Sequence, residues 1–237
     1  MALPAVRALL FDVFGTCVDW RTSVAREVEA AAGRAGVALD SLAFADAWRG
    51  RYQPSMEEVR SGRRPFAPLD ALHRESLDAL LPRFGLSGRL PEEALQDLNR
   101  AWHRLDPWPD VVAGLSRLRR RYVVAPHSNG NLALLVAMAR RAGLPWDCIL
   151  GAEVVGRYKP EPESYLGAVR LLALAPGEAM MVAAHADDLV AARAAGLRTA
   201  FVARPDERGP GAGAEVPPRG CDVAARDLLD LAGRLGA

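Results

Sequence analysis

Apolar runs and helical periodicities divide the chain into two kinds of segment. Ala8 to Phe11 is a short, wholly apolar run, the length of one buried strand of a parallel sheet. It ends on Asp12, and Gly15-Thr16 follow as a turn whose backbone N–H groups can face an anion. Thr22 to Gly36 carries Val24, Val28, Ala31 and Ala32 on one helical side and stops at glycine. Asp40 or Ser41 can cap a second helix bearing Leu42, Ala45, Trp48 and Arg49, which Pro54 should break or kink. Arg60 to Pro68 reads as a basic, proline-containing loop. Asp70 to Phe84 and Pro91 to Leu105 read as two more helices, the second with Glu92 and Glu93 at its positive dipole end. From about 20 to 105 no convincing strand is predicted.

The segment Asp106-Pro107-Trp108-Pro109-Asp110 punctuates the chain, and beyond it strands and helices alternate. Strands are predicted at Tyr122 to Ala125, Cys148 to Leu150, Ala179 to Ala183 and Thr199 to Val202. Helices are predicted at Val111 to Arg120, Leu132 to Ala142, Glu163 to Ala173, Leu189 to Ala195 and Asp227 to Leu235. Pro205 to Gly220 is a Gly/Pro-rich loop. This alternation predicts an α/β fold with a doubly wound, mostly parallel sheet. The first strand belongs to that sheet, so the helical block is an insertion. The expected domains are a core of residues 1–19 and 106–237 and a helical domain of residues 20–105.

Composition narrows the function classes. Half of the 237 residues are hydrophobic and the formal net charge is +1, without the basic stripe of a nucleic-acid binder. No apolar run approaches a membrane span, and no signal peptide is recognised at the N-terminus. Cys17, Cys148 and Cys221 are odd in number and widely spaced, which points to a reducing, cytoplasmic setting without a disulfide framework. Cys17, close to Asp12, reads as a small buried apolar residue rather than a reactive thiol. Among 30 basic residues only Lys159 is a lysine. Either chance leaves a single lysine in an arginine-rich chain, or Lys159 marks a position where a compact ammonium suits better than a wide guanidinium.

Polar groups follow several of the predicted strands. Asp12 follows the first, Ser128-Asn129-Gly130 the second, and His185-Ala186-Asp187-Asp188 the strand at Ala179 to Ala183; Lys159-Pro160 lies between them, with Tyr165 six residues on. Parallel strands bring their carboxyl ends to one edge, where ligands bind in open α/β sheets. Asp12 there is a candidate nucleophile, although a loop Asp capping the next helix satisfies the same local pattern.

These motifs resemble the haloacid dehalogenase superfamily. The apolar-Phe-Asp-x-x-Gly-Thr frame, Ser128-Asn129-Gly130, Lys159-Pro160 and the terminal acidic motif occur in its order, and the helical insertion looks like its cap. The resemblance implies a Rossmann-like core with an inserted all-helical cap domain. Phosphatases of the superfamily carry a second Asp two residues after the nucleophile, where this chain has Phe14, and a Gly-Asp pair where it has Ala184-His185. Too few hard oxygen ligands remain for Mg²⁺. The resemblance is therefore closest to the L-2-haloacid dehalogenase branch, which implies no cofactor and no metal. The implied partner is a short 2-halocarboxylate substrate, with no nucleic acid or membrane, and the resemblance allows a homodimer.

The implied chemistry has two steps. Asp12 displaces halide from carbon to form an ester, and water hydrolyses the ester to a 2-hydroxy acid. The implied catalytic set is Asp12, Lys159, Asp188 and Arg49. Lys159 keeps Asp12 ionised, Asp188 activates water or holds Lys159, and Arg49 receives the halide, with Arg63 or Arg64 as less apolar alternatives. Thr16, Phe14, Ser128, Asn129, Tyr165 and His185 make up the implied substrate-binding set. Phe14 where Tyr is usual, His185 where Asn is frequent and Ala183 where Ser can stand depart from the branch and leave the water-positioning group open. His185 fits a core or a pocket role, and Asp188 also fits a helix N-cap. His73 and His103 are expected to be solvated. His127 should point away from the site, and Trp20, Trp102 and Trp108 should pack near the cap connections. A Mg²⁺ phosphatase and a non-catalytic carboxylate- or protein-binding descendant are the competing readings.

Overall fold

The computed structural model describes residues 5–237. The elements run β1 (Ala8–Phe11), β2 (Val18–Asp19), α1 (Trp20–Arg34), α2 (Ser41–Gly50), α3 (Tyr52–Arg60), α4 (Leu69–Leu80), α5 (Glu92–Asn99), β3 (Asp106–Pro107), α6 (Val111–Leu118) and β4 (Val123–Ser128). They continue with α7 (Leu132–Ala142), β5 (Leu150–Gly151), α8 (Ala152–Val155), α9 (Pro162–Leu171), β6 (Ala179–Ala183), α10 (Ala186–Ala194), β7 (Arg198–Val202), β8 (Val223–Ala225) and α11 (Leu228–Arg234).

Six strands form one parallel sheet in the order β5-β4-β1-β6-β7-β8. β1 lies between β4 and β6, with Ala8 level with Val123 on one side and Ala179 on the other. Its four side chains are fully buried, as an all-apolar strand covered on both faces must be. The expected strand at Cys148 to Leu150 is shorter and later, at β5. The strand β8 is an addition the sequence reading lacks.

Helices α1 to α5 follow β1 and precede β4, the place of the inserted cap in this fold class. Asp19 and Asp40 cap α1 and α2 through their carboxylates. Pro54 does not kink a continuing helix: the chain breaks at Arg51, and Pro54 sits in the first turn of α3, where a missing N–H costs nothing. The two long helices expected beyond it end earlier, and 3₁₀ turns at Pro82–Phe84 and Arg100–His103 complete them. At the crossings between core and cap, β2 and β3 pair antiparallel, Asp19 opposite Asp106. Two-residue strands leave no periodicity to read in a sequence.

Two expectations about histidines are corrected. His73 is buried, because it lies one helical turn from both Leu69 and Leu77 on the inner face of α4, and it stacks on Trp102 at 4.4 Å between ring centroids. His103 is likewise not solvated: its Nε2 lies 2.9 Å from Asp70 Oδ1. Asp70 also accepts from Asn131 Nδ2 at 2.9 Å, which ties α4 of the cap to the turn before α7.

Candidate active site

The site is built at the carboxyl edge of the sheet, from the ends of β1, β4 and β6. Asp12 follows β1 directly and is 7% exposed. The turn after it is tight because Gly15 takes φ +88°, and it returns Thr16 beneath the carboxylate. Thr16 Oγ1 donates to Asp12 Oδ2 at 2.7 Å and accepts from the Ala184 N–H at 2.9 Å, so one hydroxyl links the ends of β1 and β6.

Lys159 Nζ donates to Asp12 Oδ1 at 2.9 Å and, more closely, to Asp188 Oδ2. The other oxygen of Asp188 accepts from the Tyr165 hydroxyl at 2.6 Å. The backbone N–H of Lys159 is fixed by Asn129 Oδ1 at 2.8 Å. From the cap, Arg60 Nη1 in α3 donates to the Lys159 carbonyl at 2.9 Å. The lysine is therefore held at both its backbone groups and at its ammonium.

Burial alone raises a carboxyl pKa and lowers that of an ammonium. At Asp12 burial is outweighed by Lys159 and then His185, which hold its carboxyl far below the ordinary range. At Lys159 burial is likewise outweighed, by the two carboxylates, and the ammonium is kept charged. Asp188 goes the other way: burial raises its pKa, with the Asp12 charge adding to it.

His185 N-caps α10 by position and occupies the pocket rather than the core. Its Nδ1 lies 3.1 Å from Asp12 Oδ2, and its Nε2 lies 3.1 and 3.0 Å from the two oxygens of Glu207. Burial opposes charge on the ring, but these two carboxylates prevail and its pKa is pushed up to about 10. Glu207 comes from the Gly/Pro-rich loop after β7 and was not among the expected site residues. Position in a loop after a strand was its only sequence signal, and it does not single out one acid among several.

A cleft of about 860 Å³ opens onto this cluster, lined by Asp12, Trp20, Arg49, Tyr52, Asn129, Lys159, Tyr165, His185, Asp188 and Glu207 among others. Arg49, in the last turn of α2, crosses from the cap. Its guanidinium carbon lies 4.2 Å from the Tyr52 ring centroid, 5.4 Å from Trp20 and 5.9 Å from Phe14. Its buried Nη1 has no hydrogen-bond partner. Arg63 and Arg64 lie outside, paired with Glu58 and Glu75.

The remaining expected residues divide. Phe14 and Thr16 are buried behind the cleft wall rather than on it. Ser128 makes no hydrogen bond to Asp12 and does not line the cleft; its Oγ accepts from the Gly130 N–H at 3.1 Å and shapes the turn after β4. Asn129 acts on Lys159, as described. His127 points away from the cleft, toward Ser164 at 3.4 Å. Trp20 is more than packing, since it lines the cleft and donates to Glu207 Oε1 at 3.0 Å. Trp108 donates to the Gly15 carbonyl at 2.9 Å, and Trp102 packs between Phe14, Trp48 and His73. Cys17 is buried, and burial pushes its thiol pKa well up, as an inert apolar role requires.

The cluster does not suit a divalent cation. Both oxygens of Asp12 and of Asp188 already accept hydrogen bonds, and the Lys159 ammonium lies between the two carboxylates. Among the described residues no group of three or more His, Cys, Asp or Glu side chains could hold a metal ion. Among the same residues no helix is long and apolar enough to cross a membrane.

A parallel α/β sheet with a buried, lysine-paired aspartate at the tip of its central first strand and a helical cap over it defines an aspartate-centred hydrolase. The model of haloacid dehalogenase-like hydrolases matches residues 6–196. The chain is 32% identical over 203 residues to (S)-2-haloacid dehalogenase 1 of Pseudomonas sp. (strain CBS-3), covering 84% of this chain and 85% of that one. Its structure is similar to that of a defluorinating L-2-haloacid dehalogenase, with TM-score 0.94 and 48% identity over 98% of this chain and 96% of the other. It is also similar to the L-2-haloacid dehalogenase of Xanthobacter autotrophicus with chloropropionic acid covalently bound, with TM-score 0.80 and 25% identity over 98% and 99% of the two chains. The chain belongs to the haloacid dehalogenase-like hydrolases, in their L-2-haloacid dehalogenase branch.

Proposed function

We propose that the protein hydrolyses short L-2-haloacids to 2-hydroxy acids, without a metal, through an ester on Asp12. The observation that carries this is the Asp12–Lys159 pair: a carboxylate kept ionised, rigidly held and facing a cleft. A carboxylate so held meets the halogen-bearing carbon at high effective concentration. An oxygen of Asp12 forms the new C–O bond, the carbon–halogen bond breaks, and the halide leaves with the electron pair and with inversion at carbon. Arg49 supports that departure: its Nη1 is buried without a partner, and aromatic rings surround the guanidinium. Lys159 and the amide of Asn129 receive the substrate carboxylate.

Water then attacks the carbonyl of the Asp12 ester, and the hydroxy acid departs. A phosphatase reading is less well supported, because Phe14 offers no proton to a leaving alkoxide and the Asp12–Asp188 cluster is neutralised by an ammonium instead of a metal. A cytoplasmic location belongs to the same reading and is supported by three unpaired cysteines. The test is halide release from a panel of 2-halo acids with EDTA present. Release that survives chelation is expected. Halide release lost in EDTA and restored by Mg²⁺, or no halide release alongside Mg²⁺-dependent phosphate release from small phosphate esters assayed in parallel, contradicts the proposal.

A further inference from the structure

A second pair adjoins Asp12 on the side away from Lys159. Glu207 reaches both its oxygens to His185 Nε2, and the opposite ring nitrogen of His185 faces Asp12. Three separate segments, Trp20, the Gly15–Thr16 turn and Asp110, support Glu207 and its loop there. Trp20 donates to its Oε1 at 3.0 Å. Arg204 anchors the foot of its loop, through the Thr16 carbonyl at 2.8 Å and both oxygens of Asp110 at 2.7 and 2.8 Å. Gly15 leaves the space that the carboxylate occupies, since a Cβ on Gly15 would lie 2.1 Å from Glu207 Oε1. A solvated loop acid needs none of these supports. A carboxylate that orients an imidazole against a reacting group is the arrangement of general-base catalysis.

We propose that His185 is the general base that activates water against the Asp12 ester, and that Glu207 is its positioning residue. The inference rests on the dehalogenase reading above. Asp188, the other candidate, is the poorer base, because Lys159 and Tyr165 occupy both its oxygens.

The charges facing the imidazole are Asp12 from the end of β1 and Glu207 from the loop, with Lys159 behind Asp12 and Arg49 across the cleft. In the free enzyme both ring nitrogens donate to carboxylates, so the ring is an imidazolium. Esterification removes the charge on Asp12. The imidazolium then loses one of its two anionic partners and gives a proton to solvent, which is the proton that accompanies the halide in the overall reaction. The neutral ring next takes a proton from water as the water oxygen bonds to the ester carbonyl carbon. The tetrahedral adduct collapses with cleavage of the Asp12–alkoxide bond. The alkoxide leaves with the second proton of the attacking water, and Asp12 is again a carboxylate beside an imidazolium. Haloacid plus water thus gives hydroxy acid, halide and one proton.

The test is rapid-quench turnover of L-2-chloropropionate by the full chain, its His185→Gln and Glu207→Gln variants and Glu207→Asp, read by chloride release and by the mass of the intact protein. Both Gln variants should release about one equivalent of chloride quickly and carry the ester adduct. They should then lose it about 10²-fold or more slowly than the parent enzyme. Glu207→Asp, which keeps the charge, should recover part of the hydrolytic rate, which a merely structural role for Glu207 does not predict. If His185→Gln disturbs folding, Glu207→Gln carries the test alone, since its amide oxygen can still accept from Trp20. Variants that slow chloride release and hydroxy-acid formation together without an adduct overturn the inference, as does hydrolysis of the adduct at the parental rate. A parent enzyme that releases chloride from no 2-halo acid overturns the dehalogenase reading, and is told apart because that failure precedes any variant.

Discussion

The ammonium of Lys159 lies 2.9 Å from Asp12 Oδ1, and both residues are buried. Removing one partner of such a pair leaves the other charge uncompensated, at a cost of roughly 3–5 kcal/mol. Here two carboxylates would be stranded, because Asp188 shares the same ammonium. Lys159→Met should therefore abolish halide release and lower the melting temperature measured by calorimetry. Lys159→Arg should restore little activity, because a planar guanidinium does not reproduce a point charge bonded to two carboxylates at once. A Lys159→Arg variant with parental turnover would remove the need for the lone lysine.

Arg49 offers a different kind of test, since its buried Nη1 is unpartnered and its guanidinium faces the rings of Tyr52 and Trp20. Loss of a charge aimed at a leaving group costs on the order of 10²–10³ in turnover. Arg49→Ala should show that loss in steady-state halide release, with a melting temperature close to that of the parent. Unchanged turnover would take Arg49 out of the displacement step.

The histidine at the site makes a prediction about stability. The pKa of His185 rises from an unfolded value near 6.5 to about 10 in the folded protein, because Asp12 and Glu207 overcome burial. The folded state binds the extra proton between those values, so this stabilisation is complete below pH 6.5 and is lost as pH rises toward 10. Denaturant melts of the parent should weaken across that window. In His185→Gln the slope should flatten there, and an identical slope would mean that the ring is neutral in the folded protein.

His73 predicts the opposite sign. Burial lowers its pKa to about 3, and both ring nitrogens are buried without partners. The unfolded chain binds the proton more readily between about 3 and 6.5, so stability is lost as pH falls below 6.5. His73→Phe keeps the stack on Trp102 and removes the two unpaired nitrogens. Thermal melts at pH 5 should show the variant more stable than the parent, by a margin that narrows at pH 8.

The legible parts of the chain were those with a long or pure pattern. β1, β6 and α7 were readable to the residue, because wholly apolar runs and a capped helical stripe have no competing reading. Asp12 and Asp188 were readable because a parallel sheet brings strand ends to one edge, while Lys159, after α8, and Tyr165, within α9, were readable through the family resemblance. β2, β3 and β8 were not, since two- or three-residue strands are defined by their partners and not by their own sequence. Glu207 was hidden for a similar reason: what marks it is a vacancy over Gly15, a turn nearly two hundred residues away in the chain. The burial of His73 was there to be read, four residues from both Leu69 and Leu77, but its polarity argued for solvent.

The central claim is that an oxygen of Asp12 itself bonds to the substrate carbon. A single turnover of an L-2-haloacid in ¹⁸O-water, with enzyme in excess, reads this directly. The hydroxy acid should carry ¹⁶O in its new hydroxyl, and the label should appear on the Asp12 peptide by mass spectrometry. ¹⁸O in the hydroxyl after that one turnover would mean that water attacked the carbon directly, and that no Asp12 ester had formed.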